Sequence, residues 1–374
     1  MTEYEPISGK KLFKPLIDKD CIVMAANTRY IPGAARGILQ AAKDTRSPIL
    51  CEIARSESDL KGGYTGYTPA KYAEKIKQTA NDVGIDKWVM HADHISVKNN
   101  ERETIEGTKE LVKSQIKSGF TSFAIDASHI FNFEGKTVKE ELQGNLDATI
   151  EIGNFISKEM EKKGIESYGL EVEVGEVGRK DEKGFILTSP EQAVTFISEL
   201  NEAGIEPDLL ATANGSTHGN IYDERGVKIE QVSIDIPRTK NIAKALRELG
   251  SHVRVAQHGI TGTPLHLIAT QFPRGDVIKG NVGTFWQNIV WDVLKVYEIE
   301  LYEKIESWVL EEYAGKGKSN EEIFGKNSKY AFRQFFDEMH SIDNKAVKAI
   351  ESQAYASALM FYKAFNSIGK ADLI

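Results

Sequence analysis

The sequence predicts an α/β fold, a closed (β/α)8 TIM barrel with a C-terminal helical extension. Three observations predict it: eight short β-prone runs, a stretch of helical periodicity between successive runs, and a change to helix-like sequence alone after about residue 285. Alternation of this kind implies parallel strands joined by crossover helices. A chain of 374 residues also suits a barrel of roughly 250 residues with added helices.

In order, the runs are CIVMAA (21–26), PILCEIA (48–54), KWVMHAD (87–93), SFAIDA (122–127), YGLEVEVG (168–175), DLLATAN (208–214), HVRVAQHG (252–259) and DVIKGNVG (276–283). Between them lie AARGILQAAKD, PAKYAEKIKQTANDV, ERETIEGTKELVKSQIKSG and PEQAVTFISELNEAG. Several open with proline in the first turn and close at glycine, as helices do. The stretch 137–163 reads as a long surface helix with a solvated charged face. The expected division is a barrel over 1–300 and a helical extension over 301–374, packed on the barrel or at a subunit interface. Trp286, Trp291, Trp308, Phe332, Phe335 and Phe336 recur there at helical spacing. That spacing predicts core packing first and an interface between copies second, so a homodimer or higher homo-oligomer is expected.

Apolar residues make up 41% and charged residues 27%, enough for a large core under a charged surface. A net charge of −8 without a concentrated basic face argues against nucleic acid as a partner. No apolar run approaches the ~20 residues needed to cross a bilayer, and the opening segment lacks the order of a signal peptide, so no membrane association or targeting signal is expected. Cys21 and Cys51 lie in apolar runs and make no disulfide framework, which predicts a reduced, cytoplasmic protein.

In such barrels the chemistry sits at the C-terminal ends of the strands. Five of the eight histidines lie at or just past a predicted strand end: His91, His94, His129, His218 and His258. Imidazole suits zinc, and a catalytic zinc keeps about three protein ligands with one position open. Asp93, Asp126, Glu171 and Glu173 fall at the same mouth. Glu171 and Glu173, two apart on a strand, share a face, either towards the barrel interior or towards the helices. A buried carboxylate needs a partner: a metal, a histidine or a structural ion pair. Runs six to eight end in ANGSTHGN, HGITG and GNVGT. Amides freed by glycine, with nearby hydroxyls, make an anion-binding concavity.

On these residues the sequence resembles the class II, zinc-dependent fructose-bisphosphate and tagatose-bisphosphate aldolases over roughly 20–285. HADH (91–94) is similar to the family's H-x-D-H, IDASH (125–129) to I-D-x-S-H and EVEVG (171–175) to E-x-E-L-G. STHGN (216–220) is similar to A-H-G or V-H-G, QHGITG (257–262) to H-G-G-S-G and KGNVGT (279–284) to K-x-N-x-D/A-T. FILTSPEQAVTF (185–196) resembles the stretch after the family's mobile catalytic loop.

The resemblance implies a metal-dependent aldolase cleaving a ketose phosphate, with fructose 1,6-bisphosphate the first candidate, through a zinc-stabilised enediolate. It implies Zn2+ or another divalent cation on His94, His218 and His258, with Glu173 a further ligand and Asp126 a second-site or supporting carboxylate. Asp93 would transfer the proton, Glu182 (or Asp181) would be the mobile-loop acid, and His91 and His129 would support the site. Asn27, Gly219, Gly259, Thr261, Gly262, Asn281 and Thr284 would hold the sugar phosphate. Gly283 stands where relatives often carry Asp or Ala, and Ile260 where glycine is usual. Three other readings stay open: a Schiff-base aldolase using Lys279, a metal-dependent epimerase on a ketose or uronate, and a non-catalytic partner subunit.

Overall fold

The computed structural model describes residues 4–182, 184–317 and 319–374. Eight parallel strands close into a barrel: β1 (Val23–Ala26), β2 (Ile49–Ala54), β3 (Trp88–Ser96), β4 (Ser122–Asp126), β5 (Gly169–Val174), β6 (Leu209–Thr212), β7 (Arg254–Gln257) and β8 (Val277–Val282). Each pairs with its sequence neighbours, and β1 closes on β8. All eight expected runs became these strands.

Helices α1 (Ala34–Asp44), α2 (Pro69–Val83), α3 (Arg102–Ser118), α4 (Val138–Lys162), α5 (Pro190–Glu202), α6 (Ile236–Glu248) and α7 (Leu265–Gln271) form the outer ring. Their ends follow local chemistry. Thr68 caps α2, which stops at left-handed Gly84, and Ser189 with Gln192 makes a reciprocal capping box on α5. After β8 come α8 (Thr284–Tyr297), α9 (Ile299–Glu312), α10 (Asn320–Asn327) and α11 (Asn344–Ala364), with short helical turns between the last two.

Helix α11 returns to lie against α1. The approach requires glycine, because a Cβ at Gly37 would stand 2.2 Å from the Glu351 carbonyl oxygen. Its inner residues Ala354, Ala358, Phe361 and Tyr362 join the main core between strands and helices. Trp291, Phe332 and Phe335 are buried with Ile305 and Val309 in a second core inside the extension. The lower lumen is plugged by Leu12, Phe13 and Leu16 from the N-terminal segment, packed on Val23, Leu50, Val89 and Ile278. Above this plug, Glu52, His91, Asp93, Glu171, Glu173 and Lys279 occupy the lumen towards the C-terminal mouth. No described helix is long and apolar enough to cross a membrane.

Candidate active site

Neighbouring residues on a regular strand point to opposite faces, so Asp93 and His94 should not share the lumen. They do so because β3 carries a bulge there: its register against β4 slips by one residue between Ala92 and Ile95, and His94 takes a left-handed φ of 40°. Strained backbone of this sort persists where the surroundings over-determine it. The β5 ambiguity resolves inward, with Glu171 and Glu173 both buried in the lumen.

His94, from β3, meets His258 at the end of β7 and His218 on the loop after β6. Ring centroids are 4.5 Å apart for His94–His258 and 5.0 Å for His94–His218. One nitrogen from each of the three rings lies within 4.8 Å of the others. His94 Nδ1 also stands 3.3 Å from both Asp126 and Glu173, and these three form a second, overlapping trio. Burial would discharge the His94 ring, but Asp93, Glu173 and Asp126 together hold its pKa well above that of an ordinary imidazole.

The donor set fits a divalent cation. His258 Nε2 donates to Glu171 Oε1 at 2.7 Å, which fixes the tautomer and leaves Nδ1 as the lone-pair nitrogen. That Nδ1 is buried with no hydrogen-bond partner. An orphaned buried acceptor of this kind costs about 1–3 kcal/mol, and a cation among the three rings is the partner its position calls for.

Beneath the trio lies a buried charge network. Lys279 Nζ is 2.7 Å from Glu171, 3.3 Å from Glu52 and 3.6 Å from Asp93, and 3.2 Å from His91 Nε2. Burial opposes the charge on Lys279, but the three carboxylates outweigh it and raise the amine's pKa above its usual value. A Schiff-base lysine must be neutral to attack a carbonyl. Lys279 is held in the opposite state, as a structural cation. Asp93 is held well below the usual carboxylate range: burial opposes ionisation, and His94 and Lys279 overcome it. Burial, followed by the neighbouring Lys279 cation, pushes His91 down to about 3, so it stays neutral and bonded to Ser122 at 2.8 Å.

One cavity of about 600 Å³ opens over this floor. It is lined by Asn27, Asp93, His94, Asp126, Glu173, His218, Gly219, Gly259, Thr261, Asn281 and Thr284 from among the expected residues. Gly259 is in the left-handed region at φ 66°, where a Cβ would strike the Thr217 carbonyl oxygen at 2.5 Å. Three expected site residues lie outside the lining: His258, buried beneath it against Glu171, then Gly262 and Glu182. Gly262 is set behind it, its carbonyl accepting from the Gln231 amide. Glu182 is exposed at the tip of a small hairpin that pairs Lys180–Asp181 with Gly184–Phe185. Glu176, from the same loop, does line the cavity.

The sequence did not single out a cluster on the β1 and β2 loops. Glu57 accepts from Asn27 at 2.5 Å, from Tyr64 at 2.6 Å and from the Ala54 amide at 2.8 Å, and pairs with Arg29 at 3.2 Å. Gln231 was missed as well; it ties the Thr217 amide to the Gly259 carbonyl. Apart from Asn27, none of these carries a periodic or motif signal, and only the closed ring brings them together.

A closed barrel with three imidazoles beside a ring of carboxylates at its C-terminal mouth defines a (β/α)8 enzyme of the metal-assisted kind. The family model for class-II fructose-bisphosphate aldolase matches residues 7–370, and the chain belongs to that family of metal-dependent carbon–carbon lyases. It is 27% identical over 251 residues to a 6-phospho-5-dehydro-2-deoxy-D-gluconate aldolase of Bacillus licheniformis, covering 67% of this chain and 69% of the relative. It is 25% identical over 286 residues to a fructose-bisphosphate aldolase of Staphylococcus epidermidis, covering 72% and 82%. The crystal structure of a fructose-bisphosphate aldolase from Campylobacter jejuni shares the fold, with a TM-score of 0.61 at 19% identity over 98% of this chain and 97% of that one.

Proposed function

We propose that this aldolase reversibly cleaves a phosphorylated ketose, with fructose 1,6-bisphosphate the first substrate to test and dihydroxyacetone phosphate and glyceraldehyde 3-phosphate its products. The observation that carries the reading is the buried, unpartnered Nδ1 of His258 facing His94 and His218. We assign Zn2+ to these three, with Glu173 as a further or alternative ligand and Asp126 as its neighbour. When bound, the cation supplies Lewis acidity, polarising the ketone and stabilising the negative charge left by carbon–carbon cleavage.

The chain's own residues do the rest. Asp93, ionised at neutral pH, accepts the hydroxyl proton released as the bond breaks. Asn281 donates to Asp93 Oδ1 at 3.2 Å and so fixes which carboxylate oxygen faces the substrate. Asn27 and Asn281 each leave a buried side-chain oxygen unpartnered, ready for substrate hydroxyls. Gly219, Gly259, Thr261 and Thr284 receive the phosphate, with Gly262 behind them. The proton returned to carbon is assigned to an acid of the 176–182 loop.

Metal content tests the reading. Wild-type protein should hold one zinc per chain and His218→Ala should lose it. One zinc retained after substitution of all three histidines would remove this site. A cytoplasmic homodimer or higher homo-oligomer is proposed alongside, with the exposed Val296, Tyr297 and Ile299 on the extension as the surface to probe.

A further inference from the structure

The three imidazoles are held in unequal ways. His94 bonds to the Asp126 carboxylate at 3.3 Å and His258 to Glu171 at 2.7 Å. The His218 ring packs against the other two rings, but among the described residues it has no hydrogen-bond partner. A histidine that binds metal ordinarily bonds its second ring nitrogen to a neighbour, which fixes the direction of the ring. His218 is also the exposed member of the trio, and it stands on the long connection from β6 to α6, off any strand of the barrel. Its direction is therefore set by its backbone, and the chain is tethered on both sides of it.

On the amino side, the Gln231 side-chain oxygen accepts from the Thr217 amide and from the Thr217 hydroxyl, each at 2.9 Å. The Gln231 amide donates to the Gly259 carbonyl, so the residue before His218 is tied to the residue after His258. On the carboxyl side, Gly219 turns the chain at a left-handed φ of 84°. Asn220 then meets Asn288 of α8 in a reciprocal amide pair, each side chain donating to the oxygen of the other, at 3.2 and 2.9 Å. Beyond it, the strand pair Ile221–Tyr222 and Lys228–Ile229 rests on α10. A Cβ at Gly325 would overlap the Tyr222 hydroxyl, and Ser319 donates to the Gly226 carbonyl at 2.9 Å.

We propose that Asn288 is a positioning residue for the metal ligand His218. Through its amide pair with Asn220 it closes, on the carboxyl side, the clamp that Gln231 makes on the amino side. The clamp does for His218 what a carboxylate does for each of the other two rings. A ligand whose neighbours are already fixed loses little freedom when it binds. With one tether cut, the metal itself has to order the loop, and that cost is subtracted from its affinity. The inference rests on the assignment of the cation to the three histidines and adds to it the residue that directs one of them.

Zinc binding to the full chain, read by competition with a chelator of known affinity, tests the clamp in Asn288→Ala, Asn220→Ala and the double variant. Each single substitution should weaken zinc about 10- to 100-fold. The double variant should be no weaker than either alone, because the two amides bond to each other and act as a unit. Both side chains are half-buried, so the urea midpoint of the metal-free protein is expected to stay nearly unchanged. The visible spectrum of the chain saturated with Co2+ reads ligand geometry directly and should change in Asn288→Ala, whatever the midpoint does. Affinity and spectrum like wild type in Asn288→Ala, beside a His218→Ala variant that no longer binds zinc, overturn the clamp and keep the metal site. Losses that add in the double variant overturn the action of Asn288 through Asn220. Zinc bound equally well by His218→Ala removes the metal assignment itself.

Discussion

Glu171 joins two halves of the site: one of its oxygens accepts from His258 at 2.7 Å and the other from the Lys279 ammonium, also at 2.7 Å. A buried lysine on β8 thus orients a carboxylate on β5, which orients an imidazole on β7. Outer partners of this type set the tautomer and direction of a metal-binding histidine.

Glu171→Gln should therefore weaken zinc binding about 10- to 100-fold, read by competition with a chelator of known affinity. Lys279→Met leaves Glu52, Asp93 and Glu171 buried without their cation, and should lower stability by ~3–5 kcal/mol in urea titration. Unchanged zinc affinity in Glu171→Gln would show that the His258 ring is held by packing alone.

His218→Ala and Asp93→Ala should fail differently. The first loses zinc and activity together. The second keeps zinc but loses about 10²- to 10⁴-fold in kcat, as measured on metal-replete protein. Full activity in Asp93→Ala would remove its assigned role.

The 176–182 loop offers two acids in different settings, Glu176 lining the cavity and Glu182 exposed on the hairpin. With the loop as described, Glu176→Gln should slow exchange of the dihydroxyacetone phosphate carbon-bound proton about 10²-fold, with Glu182→Gln within about twofold of wild type. The reverse ranking would mean that the hairpin swings over the mouth during turnover.

Acid should destabilise the metal-free protein in a defined window. His91 titrates at 6.5 when unfolded but is pushed down to about 3 in the fold, chiefly by burial. Between those values the unfolded chain binds the extra proton. Stability is therefore fully present above pH 6.5 and is lost as pH falls towards 3, at up to ~1.4 kcal/mol per pH unit. Glu171, held at about 2 against 4.5, adds loss of the same sign below pH 4.5; burial opposes this and Lys279 and His258 outweigh it. Urea titrations in chelator should show a flatter profile from pH 6.5 to 4.5 for His91→Gln.

The eight strands were legible because each is a short apolar run bounded by turn residues, and the histidines were legible because barrel chemistry gathers at strand ends. Period-two spacing told that Glu171 and Glu173 share a face, but only ring closure decides which face. The β3 bulge that turns Asp93 and His94 the same way has no signature in HADHIS. Arg29, Glu57 and Asn288 were invisible for a different reason: no motif marks them, and their meaning arises from contacts that only the folded chain makes.

The most direct test is cleavage of fructose 1,6-bisphosphate, followed through a coupled triose-phosphate readout, before and after EDTA and again after zinc is restored. The account predicts cleavage that disappears with chelation and returns with the metal. Cleavage that persists in EDTA would contradict it.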